Sequence, residues 1–262
     1  MASSPQILSG CRGLVLGVSG ENGVGYHFAR TACELGATVV IAHRPARRET
    51  CAILAERLGC TRVEFEATDE GSIEKAFQKV ASEFGRLDFL LHTLVHVPPG
   101  LLSRPATSIT PEEFRDTMEI GVRSLLVACR NALPLFERSD APRVVALSSG
   151  GAAAAMPNYH AVGMAKAALE AAVRYLALEL GPRGVLCNVV SFSLIETDAA
   201  VRAVGIEAAG ATRRYLAKRS MTQKNASFDQ VARAAAFLCS PFAENVTGET
   251  LTVDGGFSRS YF

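Results

Sequence analysis

GLVLGVSGENGVGYHFARTACELG, residues 13–36, decides the fold. A short apolar run from Gly13 to Gly17 reads as a buried strand. Glycines 17, 23 and 25 follow, and then a helical pattern that stops near Gly36. Glycine permits a tight turn and close approach of a phosphate, and the helix N-terminus behind it attracts that anion. The spacing is G-x5-G-x-G, wider than G-x-G-x-x-G, so its weight comes from its place between a first strand and a first helix. A merely flexible connection is the plainer alternative.

The same alternation continues outward. ATVVIAH, VEFEA, LDFLLHTLV, PRVVALSS, GVLCNVVSFS and ETLTVDGG read as further strands. RETCAILAERLG, SIEKAFQKVASEFG and QVARAAAFLC read as helices, the last capped by Ser227. Thr110-Pro111-Glu112-Glu113 starts a long helix: threonine caps, proline takes the first turn and Glu113 completes a capping box. Strands apolar on both faces, alternating with helices, imply a parallel sheet covered on both sides. The expected architecture is one α/β domain over residues 1–262, a Rossmann-like doubly wound parallel sheet of about seven strands. Its ligands should bind beyond the strand carboxyl ends.

Composition narrows the function. Of 262 residues, 48% are hydrophobic and 20% charged, which suits a globular chain with a full core. The net charge of +1 gives no cause to expect nucleic acid or acidic membranes as partners. The seven cysteines form no C-x-x-C pair or metal-ligand spacing, and the five histidines no H-x-x-x-H pattern. We therefore expect reduced thiols, no catalytic metal and a cytoplasmic protein, since neither a signal peptide nor an apolar run of about 18 residues is present.

Chemistry concentrates in LSSGGAAAAMPNYHAVGMAKAALEAAVR, residues 147–174. Tyr159 and Lys166 are seven residues apart on what reads as one long helix. Seven steps of 100° return to within about 20° of the start, so both leave one face, roughly 10 Å apart along the axis. A phenol so placed can donate to a substrate oxygen, and an ammonium can lower the phenol's pKa and hold a sugar hydroxyl. An ordinary amphipathic helix with one aromatic and one lysine is the competing reading. Ser148 and Ser149 end the fifth strand; either hydrogen-bonds substrate or closes a turn. His160 points about 100° away from Tyr159 and reads as structural or surface, and Arg123 reads as an interface or surface group on its long helix. His96 could touch substrate, and Glu196 reads as a solvated loop carboxylate. At the end of the second strand no acid lies between Glu34 and Glu49; His43, Arg44, Arg47 and Arg48 stand there instead. Guanidinium groups suit a 2′-phosphate, so the expected cofactor is NADP, with NADPH favoured over NADH.

These residues resemble the short-chain dehydrogenase/reductase superfamily, and more narrowly its divergent enoyl-acyl-carrier-protein reductase branch. The likeness runs from Gly17 to VDGGFS at 253–258 and is densest in PNYHAVGMAKAALEAAVRYLALELGPRGVLCNVVS. Its most specific feature is Y-x6-K, where ordinary ketoreductases of the superfamily use Y-x3-K. The resemblance implies that Tyr159 hydrogen-bonds a thioester carbonyl, with Lys166 and Ser149 beside it. It further implies that Gly17, Ser19, Gly23, Val24 and Gly25 carry the pyrophosphate. Arg44 would meet the adenosine ribose or its phosphate, Glu66 and Ala67 would lie near the adenine, Lys166 would hold the nicotinamide ribose and Ile195 the carboxamide, with Thr93 and Thr197 also binding cofactor. Val95, His96, Ser149 and Tyr159 would face substrate, residues 195–222 would form a flap over the acyl chain, and the assembly would be a homotetramer.

Three positions depart from the family pattern. Ser149 stands where the best-known members have a second tyrosine, Val95 where a glycine is expected, and Ser193-Leu194 where glycine-proline is usual. The implied reaction is hydride transfer to the β-carbon of an enoyl thioester or related enone, in fatty acid or polyketide biosynthesis, on a small or carrier-bound substrate. A ketone or alcohol oxidoreductase of the same superfamily and a non-catalytic dinucleotide-binding sensor remain alternatives.

Overall fold

The computed structural model describes residues 6–98, 100–195, 197, 201 and 206–260. Seven strands form one sheet in the order β3-β2-β1-β4-β5-β6-β7, and every pair is parallel. They are β1 (Arg12–Leu16), β2 (Thr38–His43), β3 (Thr61–Glu64), β4 (Phe89–His92), β5 (Arg143–Ser149), β6 (Leu186–Phe192) and β7 (Thr250–Val253). Strand order reverses direction between β1 and β4, which opens a crevice at their carboxyl ends.

Helices cover both faces because the strands are apolar on both. Leu14, Leu16, Val40, Leu90, Val144 and Ala146 point toward α3 (Glu70–Phe84), α5 (Ser124–Phe136) and α6 (His160–Leu180). Their strand neighbours Val15, Val39, Ile41, Phe89, Leu91, Val145 and Val190 face α1 (Val24–Glu34), α2 (Arg48–Leu58) and a helix at Phe228–Leu238. This alternation within continuously apolar strands is what a doubly covered parallel sheet requires.

Local chemistry sets the boundaries. The Asp69 carboxylate accepts from the Gly71 amide, so α3 starts at Glu70, two residues earlier than the sequence pattern suggests. Thr110 and Glu113 form the expected capping box at α4 (Pro111–Met118). Ser227 and Gln230 form another at Phe228–Leu238.

The long helix expected from Pro111 is not continuous. A π turn at Glu119–Arg123 separates α4 from α5. There the Ser124 hydroxyl donates to the Ile120 carbonyl at 2.7 Å, and buried His92 meets the same hydroxyl at 2.8 Å. Gly121 brings this turn against α6, where an added Cβ would lie 3.4 Å from that of Ala165. Serine back-bonding and a close helix contact are known causes of such a widened turn. Strand β4 is also shorter than LDFLLHTLV suggests, since beyond His92 the chain enters the crevice. Within the span expected to form a flap, Ile206–Arg219 is a helix, α7, so the capped helix after it is α8 (Phe228–Leu238). Asp198 and Glu196, like residues 199, 200 and 202–205 of the expected flap, lie outside the described residues. No helix among the described residues is long and apolar enough to cross a membrane.

Gly13 on β1 is register partner to Phe89 on β4, whose ring lies where a Cβ would stand, 1.9 Å from its Cζ. That ring meets Phe28 edge-on at 5.7 Å. Gly13→Ala therefore forces Phe89 off its position. The expected loss is about 1–3 kcal/mol of unfolding free energy, as for other overpacked cores, read from the urea midpoint at unchanged slope.

Candidate active site

The glycine turn leads from β1 into α1 beside the start of the loop after β4. Gly17 has φ +96°, and a Cβ there would lie 2.6 Å from Thr93 Oγ1 and 2.9 Å from Leu94. Thr93 is fixed in turn, its hydroxyl donating to the Leu16 carbonyl at 2.7 Å. A Cβ at Gly25 would meet the same hydroxyl at 3.2 Å, whereas Gly23 is less confined. Gly23 is the N-cap of α1 without a side-chain cap, and no acid occupies the first turn. The helix start thus offers free amides and positive potential to an anion. A diphosphate-bearing dinucleotide fits this cradle, with Ser19 half-buried and Val24 buried beside it.

Tyr159 and Lys166 reach the same end of the sheet by a route the sequence did not show. Tyr159 is not within the helix: α6 begins at His160, and Tyr159 is its N-cap residue with φ −134° and ψ 9°. Asn158 ahead of it takes φ +54°, a left-handed conformation asparagine tolerates. The Tyr159 ring lies over Gly151, where a Cβ would come within 2.4 Å of it. Its hydroxyl is 3.1 Å from Ser149 Oγ at the tip of β5. Burial pushes the phenol pKa above its ordinary value, and the Ser149 hydrogen bond opposes that rise.

Lys166, two turns into α6, is 7% exposed. Its Nζ donates to the Leu147 carbonyl at 2.7 Å and to the Leu94 carbonyl at 3.4 Å, tying α6 to the ends of β5 and β4. Burial lowers its pKa to about 8, against the raising effect of Glu170. The two serines part company: Ser149 faces the phenol, while Ser148 turns under α6 and donates to Glu170 Oε1 at 2.5 Å. Glu170 was not singled out in the sequence, although its place one turn after Lys166 was a usable signal.

The remaining candidates separate clearly. His160 Nε2 bonds the Arg104 carbonyl at 3.0 Å, a structural role. Arg123 pairs with Glu119 and Glu70. Val95 is 39% exposed at the crevice. His96 next to it is half-buried, and burial lowers its pKa, with Asp116 opposing and Arg44 assisting. Ile195 is buried, and its carbonyl accepts from Thr197 N at 2.7 Å. Ala67 is buried, and Glu66 N donates to Ser72 Oγ at 3.0 Å. No group of three or more His, Cys, Asp or Glu among the described residues could hold a metal.

Comparison with known proteins fits this geometry. The sequence model of a family described as enoyl-(acyl carrier protein) reductase matches residues 17–258. An enoyl-acyl-carrier-protein reductase (NADH) of Rhizobium meliloti is 30% identical over 263 residues, covering 98% of this chain and 93% of the relative. The NADH enzyme FabI of Neisseria meningitidis serogroup B is 35% identical over 257 residues, with 96% of each chain covered. The crystal structure of the reductase from Anaplasma phagocytophilum in complex with NAD superposes with a TM-score of 0.92 at 26% identity, over 100% of this chain and 97% of that one.

The NADPH expectation is corrected here. The relatives are named for NADH and the Anaplasma structure holds NAD. The basic cluster is also less available than its sequence suggested. His43 is fully buried, its Nδ1 on the Arg44 carbonyl and its Nε2 facing Arg62. Arg48 is paired at 2.5 Å with Glu64, a carboxylate that β3 sets opposite His43.

The phenol gives a direct check. Ser149→Ala removes the one interaction that restrains the rise in the Tyr159 pKa. In an ultraviolet difference titration the Tyr159 phenolate is expected to form at higher pH in the variant than in the parent protein.

Proposed function

The chain belongs to the enoyl-(acyl carrier protein) reductase family, and from that premise we propose that it reduces the α,β-double bond of a carrier-bound acyl thioester with NADH. It is an oxidoreductase of the class acting on CH–CH bonds. The observation that carries the finer reading is the convergence of Ser149, Tyr159 and Lys166 on the carboxyl ends of β4 and β5, beside the glycine turn.

The bound cofactor supplies hydride to the β-carbon. The protein's part is to meet the charge that then develops on the thioester oxygen as an enolate. Tyr159 Oη, held at 3.1 Å by Ser149 Oγ, is a neutral donor aimed before the charge appears. Its raised pKa keeps the proton on the phenol, so it stabilises the oxygen by hydrogen bonding most strongly when charge is greatest. Lys166 would hold the nicotinamide ribose and add positive potential to the same region. The amides from Gly17 to Gly25 would carry the pyrophosphate. Val95 and His96 would bound the substrate channel, and residues 195–222 would cover the acyl chain, their carboxyl end pinned by Thr222 N on the Gly255 carbonyl at 3.0 Å.

A homotetramer is part of the proposal. Phe114 and Leu126 on α4 and α5, and Met164, Tyr175 and Leu178 on α6, are exposed apolar side chains at 41–75%. Burial of such faces against further copies supports assembly through these helices.

Two measurements test the function. With a crotonyl thioester on acyl carrier protein the enzyme is expected to consume NADH, and with a 3-oxoacyl thioester to be inactive; the reverse preference would overturn the reading. Tyr159→Phe should lower kcat by about 100-fold, in the range of a lost oxyanion donor, while NADH affinity by fluorescence titration stays at the parent value.

A further inference from the structure

Lys166 presents an electrostatic problem that its own contacts do not solve. An ammonium with 7% exposure is costly to keep charged, and burial brings its pKa to about 8. Its two hydrogen-bond acceptors, the Leu147 and Leu94 carbonyls, are neutral dipoles. The titratable groups around it are His92 from β4, Tyr159 at the head of α6 and Glu170 one turn further along α6. His92 is fully buried, and its pKa falls to about 3, so it adds no positive charge near neutral pH and no negative charge at any pH. Tyr159 is kept protonated by burial. Glu170 is therefore the source of full negative charge among these groups. It is not left to wander: the buried Ser148 hydroxyl, in the strand residue next to Leu147, donates to its Oε1 at 2.5 Å.

We propose that Glu170 is a positioning residue for the reaction, pinned by Ser148 beneath α6 so that its carboxylate keeps the Lys166 ammonium charged and aimed at the cofactor. The inference rests on the reading of Lys166 as the group that grips the cofactor. Carboxylate and ammonium act through space, since the ammonium's hydrogen bonds go to the strand ends. Ser148 and Ser149 thus divide one task between adjacent residues of β5. The outward serine fixes the phenol, and the inward one fixes the counter-charge of the amine.

The sign of the pH dependence follows. Cofactor binding favours protonated Lys166, so affinity should be full below its pKa and fall as pH rises through about 8. Glu170→Gln preserves shape and an acceptor for Ser148 but removes the charge. The fall in NADH affinity, followed by fluorescence from acid to alkaline pH, is expected to begin about one pH unit lower in this variant. At the acid end its affinity should approach that of the parent, and Glu170→Asp should restore most of the midpoint. Ser148→Ala, which unpins the carboxylate without removing it, should move the midpoint the same way by a smaller amount. An unmoved midpoint in both Glu170→Gln and Ser148→Ala, or a loss equal at every pH, overturns the proposal. Lys166→Met separates the premise from the inference. Weak NADH binding with no pH step supports the premise, whereas parent-like binding with the step intact refutes the cofactor role of Lys166 itself.

Discussion

The hydrogen bond from Lys166 Nζ to the Leu147 carbonyl, 2.7 Å long and sealed from solvent, fixes α6 against the carboxyl end of the sheet, beside the proposed site. Because the ammonium reaches across to Leu94 as well, one side chain joins a helix to the ends of two strands. The position of Tyr159 follows from that anchoring. Being the N-cap of α6, it sits where the helix meets the tip of β5, within reach of Ser149. A flexible lysine at this point would leave the phenol's neighbourhood undefined, and the donor would lose the preorganisation on which electrostatic catalysis depends.

Small residues permit the closeness of these parts. Gly17 and Gly25 let the turn pass under Thr93, and Gly151 and Gly163 let the loop after β5 lie against the Tyr159 ring and the start of α6. At Gly151 and Gly163 a methyl group would come within 2.8 Å of ring or carbonyl atoms. The π turn before α5 belongs to the same arrangement. Its Gly121 approaches Ala165, the residue before Lys166, and its Ser124 engages His92 on β4. The crevice between β1 and β4 is thus lined by backbone that can come near a ligand, while the wide apolar faces behind it supply stability.

Much of this was legible in the chain. Short apolar runs located all seven strands, β3 (Thr61–Glu64) lying earlier than VEFEA suggests, and their alternation with helices pointed to the parallel, doubly covered sheet. Thr110-Pro111 and Ser227 announced their helices correctly, since capping is a local property of sequence. Y-x6-K pointed to the enoyl reductase branch, and its two side chains lie at the same end of the sheet. What the sequence did not show depended on contacts across the fold. The π turn is accompanied by contacts of Ser124 with His92 and of Gly121 with α6, residues far apart in the chain. Tyr159 looked helical because the seven-residue spacing is helical, yet the left-handed Asn158 and the ring's seat on Gly151 place it just outside. The cofactor expectation was overturned by the relatives, which are named for NADH; reading β2 alone also left out the β3 carboxylate that pairs with Arg48. Ser148 and Ser149 could not be assigned until strand alternation showed which one faced the phenol.

The central claim is that hydride reaches the β-carbon of an enoyl thioester while Tyr159 steadies the oxygen. Its most direct test is the fate of deuterium from NADH labelled at both C4 hydrogens, with a crotonyl thioester on acyl carrier protein as substrate. Mass and NMR analysis of the product should find one deuterium at C3, with C2 protonated from solvent. Deuterium at the former carbonyl carbon, or NADH turnover with no deuterium in the acyl chain, would contradict the account.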